Sequence, residues 1–212
     1  MSYTLDPSKT VLLSLHMQHD IVLKEGKFGD FFGDQAEKRG VVSKGQQLLK
    51  TARTQDVPII HVAVCFNEGH SNLQANSPLL SLVKQMDALV KGTWGGSFIE
   101  EVRPFTNETI IESQRVGPFE DTDLSSFLAE SGADTVLLYG VATNFVVETA
   151  ARVASDQGYN VIVVEDCCSA ATPEAHQASL DTLGLLTTVT TLQEVEEKLT
   201  NKVKYLNHNY CD

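Results

Sequence analysis

The stretch TVLLYGVATNFVVETAARVASDQGYNVIVVED, Thr135–Asp166, decides the fold. Its first six residues, Thr135–Gly140, form an apolar run without alternation, the pattern of a strand covered on both faces. A helix is expected from about Asn144 to Gln157, and Asn160–Asp166 is a second apolar run. Strand, helix and strand in one such span make a crossover unit, whose two strands lie parallel.

The alternation continues outward in both directions. Upstream, Thr10–His16 and Val57–Val64 read as buried strands, with one amphipathic helix expected over Gln35–Asp56 despite Gly40. A Gly-punctuated region carries a short helix near SPLLSLVKQMDALV. ETIIES then gives a third strand, and DLSSFLAESG a helix closed by Gly132. Downstream, TPEAHQASLDTLG starts a helix with Thr172 as N-cap and Pro173 in its first turn, and Gly184 ends it. LTTVTT is a short sixth strand and LQEVEEKLT a last helix. The expected fold is α/β: a doubly wound, mainly parallel six-stranded sheet with helices on both faces. Residues 1–212 read as one domain, with about 201–212 as a loose tail or oligomer arm.

The chain has 212 residues, 42% hydrophobic and 21% charged, which is ordinary globular composition. Its net charge of −12 repels phosphate backbones, so no nucleic-acid partner is expected. No apolar run is long enough to span a bilayer, so no membrane partner is expected. The opening MSYTLDPSKT lacks the basic-then-apolar layout of a secretory leader, and a cytoplasmic protein is expected. Cys65, Cys167, Cys168 and Cys211 form no CxxC pair and read as packing thiols, the middle two following the fifth strand.

In such a sheet, ligands bind beyond the carboxyl ends of the strands. His16 stands at the end of the first strand and Ser113 at the end of the third; an imidazole beside a hydroxyl has the chemistry of a base and a nucleophile, and the alternative is a hydrogen-bonded, inert histidine and a serine that merely end their strands. Arg115, two residues on, is a candidate for a substrate carboxylate, with a surface ion pair as the equal alternative. The only tryptophan, Trp94, sits in a Gly-rich loop and is a candidate pocket wall, with core packing as the alternative. Thr143 and Asn144 are expected to cap the helix after the fourth strand.

LHMQHDIV, GTWGGSFIEEVRP, SQRVGPFEDTDLSSFL, GVATNFVVE and VVEDCCSAA, in this order, resemble the isochorismatase-like, or cysteine hydrolase, family from Thr10 to about Ala171. The resemblance implies a three-layer Rossmann-type fold and a site made of an Asp, a Lys and often a Cys. The family's IDMQNDF-like frame reads LHMQHDI here, which places His16 at the Asp position. Counting back six residues from Phe119 places Ser113 at the Lys position. The GVATNYCVE-like frame reads GVATNFVVE, which places Val146 at the Cys position. Val146 cannot attack a carbonyl, so thioester-forming amidase chemistry is not expected. Loss of the Asp and the Lys together leaves no unpaired buried charge.

Substrate contacts are expected at Gln18, Trp94, Arg115, Phe119, Val141, Ala142, Thr143 and Asn144, and the resemblance implies that Phe119 reaches a neighbouring subunit's site. It implies a cis peptide between Val141 and Ala142, and a homodimer or homotetramer. No metal is expected, since His61 and His70 lack the metal-binding spacing, and no cofactor is expected. Two functions stay open. One is a hydrolase acting on a small polar substrate through a non-standard site. The other is a catalytically silent relative kept as a binding or oligomeric scaffold.

Overall fold

The structure is a computed structural model that describes residue 3 and residues 5–199. Six strands form one sheet: β1 (Thr10–Leu15), β2 (Ile59–Val64), β3 (Thr109–Ser113), β4 (Thr135–Val141), β5 (Asn160–Ser169) and β6 (Thr188–Thr190). Their order is β3-β2-β1-β4-β5-β6, and every pairing is parallel. The helices around the sheet are α1 (His19–Val22), α2 (Asp34–Arg39), α3 (Val41–Thr54), α4 (Pro78–Gln85), α5 (Leu124–Ser131), α6 (Glu148–Asp156), α7 (Pro173–Leu183) and a last one over 192–199. Every residue of β1, β2 and β4 is buried, whereas β3, at the edge, alternates from Ile110 to Ser113. The direction of winding reverses between β1 and β4, and a reversal of that kind opens a crevice beyond the strand ends.

Several expectations change in detail. The helix over Gln35–Asp56 is two helices. Gly40 lies in the left-handed region (φ 66°) and its N–H caps α2, so α3 starts afresh at Val41. β5 runs three residues further than Asp166. After an irregularity at Leu138/Gly140 its ladder resumes with Gly140 opposite Cys168 and Val141 opposite Ser169, so both cysteines are strand residues. Gly140 itself (φ 140°) has Leu15 O within 2.0 Å of where a Cβ would stand, so β1 and β4 approach too closely for any side chain. The region 201–212, expected as a tail or arm, and Cys211 lie outside the described residues.

An ionic cluster ties α3 to β2 and to the start of β3. Arg53 donates from Nε and Nη2 to the two carboxylate oxygens of Glu108, at 2.8 and 2.9 Å. His61 Nε2 shares a 2.9 Å hydrogen bond with the same group, and the Phe105 N–H donates to it at 2.8 Å. Burial alone would raise the Glu108 pKa, but these partners outweigh it and hold the carboxyl down at about 2.

Candidate active site

β1 ends in a tight turn. His16 takes a left-handed backbone (φ 56°), its N–H donates to Val62 O, and its carbonyl accepts from the Gln18 N–H. Histidine is among the few side chains enriched in that conformation. The turn drops the imidazole, 6% exposed, into the crevice at the reversal point, where it forms part of a pocket wall with Val64, Arg115, Val141 and Ala142. Apolar side chains from further along the chain add to the wall, among them Ile21, Phe28, Phe32, Leu80, Val83, Leu89 and Phe145. The cavity is about 70 Å³. Its Val141–Ala142 peptide is cis.

The imidazole is electrically silent. Nε2 is buried without a hydrogen-bond partner, and burial pushes the pKa down to about 3, so the ring is neutral at neutral pH. Asp20, the nearest acidic residue in sequence, accepts the backbone N–H groups of Lys27 (3.1 Å) and Leu89 (2.8 Å) instead. Ser113 is fully buried and turned into its own loop: Oγ donates to Gly117 O (3.1 Å) and accepts from the Arg115 N–H (3.0 Å). The candidate imidazole–hydroxyl pair of His16 and Ser113 is therefore not formed, because the loop's backbone satisfies the hydroxyl. Val146 is buried in the core and does not line the pocket.

Other candidate residues also have partners within the fold. Gln18 is fully buried, with its amide donating to Val64 O and Gly96 O and accepting from Val64 N, so it holds loops together and has no group left for a substrate. Trp94 is 53% exposed and packs on the His19 ring (centroids 4.6 Å apart), away from the pocket wall. Arg115 reaches the wall, but its guanidinium is engaged by Asp121 (3.0 and 2.7 Å) and Gln74 (2.9 Å), which is the ion-pair alternative rather than a carboxylate site. Phe119 packs partly buried against the core.

Thr143 and Asn144 do not cap the helix through their side chains. The chain enters it by a wide turn over Thr143–Val147, capped at Ala142 without a side-chain bond. Thr143 Oγ1 instead shares a 2.8 Å hydrogen bond with His176 Nδ1, while His176 Nε2 approaches Glu165 at 3.4 Å and Glu165 pairs with Arg39 at 2.8 Å. That chain of groups fixes the turn beneath the pocket. Asn144 Oδ1 is buried without a partner.

The thiols of Cys65, Cys167 and Cys168 lie outside the pocket wall, and burial raises the pKa of each, that of Cys65 to about 11. Among the described residues no group of three His, Cys, Asp or Glu side chains gathers as a metal site. His61 serves Glu108, and His70 Nε2 shares a 2.8 Å hydrogen bond with Ala88 O. No helix among the described residues is long and apolar enough to cross a membrane.

Sequence reasoning did not find the walls at Ile21, Phe28, Phe32, Leu80, Val83 and Leu89. The one available signal was the aromatic cluster in KFGDFFG, where three phenylalanines within five residues exceed what a surface loop needs.

A parallel sheet in this order, with its pocket at the winding reversal, defines an open α/β protein with a crevice at its strand ends. The isochorismatase domain model matches residues 10–194, and the chain belongs to the isochorismatase family of hydrolases. Among curated relatives, ureidoacrylate amidohydrolase RutB of Acinetobacter baylyi is 27% identical over 190 residues, covering 83% of this chain and 77% of its own. Among solved structures, the isochorismatase-like hydrolase from Alkaliphilus metalliredigens has a TM-score of 0.76 at 28% identity, covering 93% and 99% of the two chains. The cysteine hydrolase from Pseudomonas syringae pv. phaseolicola shares the fold, with a TM-score of 0.83 at 24% identity and coverage of 94% and 96%.

Proposed function

We propose that this protein is an isochorismatase-family member that binds a small molecule in the strand-end pocket without hydrolysing it. The observation that carries this reading is the isolation of His16. It is the one titratable ring in the pocket wall, it is neutral, and neither an acid nor a hydroxyl touches it. A base needs a pKa near the working pH, and a nucleophile needs a base within hydrogen-bond reach. His16, Ser113 and Val146, at the positions that resemble the family's Asp, Lys and Cys, supply neither. The wall is apolar, which favours an apolar ligand over the small polar substrate expected from the sequence.

The test is a hydrolysis panel of isochorismate, small amides and ureides, run with the wild-type chain beside His16→Ala. The proposal expects no turnover above buffer from either protein. Turnover by the wild type that disappears in His16→Ala would sink the binding reading and establish a hydrolase rebuilt around His16.

A further inference from the structure

We infer that the pocket selects an uncharged, mainly apolar molecule that presents a single hydrogen-bonding group to the His16 imidazole. The inference deepens the binding function proposed above and rests on it. Two features of the wall carry it. The first is the orphaned Nε2 of His16, since a buried polar nitrogen without a partner is stabilised by any group that completes it. The second is the absence of a free cation in the wall: Arg115 is already paired with Asp121 and Gln74, and the rest of the wall is aliphatic and aromatic, as at Leu80, Val83, Leu89 and Phe145. An anion entering there would lose its hydration and gain no counter-charge.

The cavity of about 70 Å³ is roughly half the size of an apolar cavity that encloses benzene, so a handful of heavy atoms fill it. A ligand can extend past Phe145, which is 38% exposed. A primary amide suits the imidazole in either tautomer, because it offers both N–H and C=O.

The experiment compares isobutyramide with isobutyrate, two molecules of one shape that differ in charge at pH 7. Each is titrated into the full chain and followed by NMR shifts of the pocket methyl groups. The amide is expected to bind at least about tenfold more tightly than the carboxylate. In His16→Ala the amide is expected to lose about tenfold. His16→Asn, which tolerates the left-handed backbone and retains a polar group, is expected to stay within about threefold of wild type. Equal affinity for isobutyrate, or no pocket shifts with either probe, overturns the inference. Ammonia released from isobutyramide overturns the binding function itself, and a free-ammonia assay on the same samples separates that failure from the others.

Discussion

At the scale of single residues, the site turns on His16. A folded state that keeps this ring neutral down to about pH 3 binds fewer protons than the unfolded chain, whose histidines titrate near 6.5. The stability that His16 contributes is therefore intact above pH 6.5 and is lost as pH falls from 6.5 toward 3. Replacing it with Asn removes the titration and suits the left-handed backbone. Chemical denaturation at pH 7 and at pH 4 is expected to show a smaller acid loss in His16→Asn than in wild type, by on the order of 3 kcal/mol. Equal losses would mean that the ring is already protonated in the folded protein. Glu108 adds an acid sensitivity of its own in a lower window, because its depressed pKa makes its contribution full above about 4.5 and lost on the way down to about 2.

At the scale of elements, the pocket depends on how β1, β4 and β5 end. Gly140 lets β4 pass Leu15 O, and a methyl group there meets a backbone oxygen that cannot move aside. Gly140→Ala is expected to cost at least about 3 kcal/mol in a melting or denaturant experiment, or to prevent folding. A cost under about 1 kcal/mol would show that the two strands are less tightly apposed. The turn over Thr143–Val147 is held from below by His176, which joins Thr143 to the Glu165–Arg39 pair. His176→Ala leaves a buried hydroxyl without its partner, and a loss of about 1–3 kcal/mol is expected in thermal or denaturant melts.

These elements also mark what the sequence reveals and what it withholds. Buried parallel strands announce themselves as unbroken apolar runs, and the helix caps at Thr172–Pro173 and Gly132 are local signals, so the layout was readable. Gly40 looks tolerable inside a helix from sequence alone, because its left-handed backbone is set by how α2 meets α3, which local propensity does not encode. For Arg115 the sequence leaves a carboxylate site and an ion pair equally open, for the same kind of reason. Its partner Asp121 is six residues away and Gln74 is in another loop, and only the folded chain brings them together.

At the scale of the whole molecule, a formal charge of −12 places the folded chain under self-repulsion that its scattered ion pairs do not cancel. Raising sodium chloride from about 20 mM to about 500 mM shortens the screening length from roughly 20 Å to under 5 Å. The melting temperature is expected to rise by a few degrees, and a fall would mean that surface ion pairs outweigh the repulsion. The walls of the pocket are likewise a property of the whole, drawn from segments as distant as Phe28, Leu80 and Phe145, and no window of sequence contains them. The ring of His16 in this pocket is neutral, its buried Nε2 has no partner, and it therefore does no proton chemistry. The most direct measurement is the nitrogen chemical shift of the His16 imidazole, followed by NMR from pH 7.5 to pH 4.5 in the wild-type protein. The account predicts a neutral ring across the whole range, while a midpoint between pH 6 and 7 would contradict it and return His16 to the role of a general base.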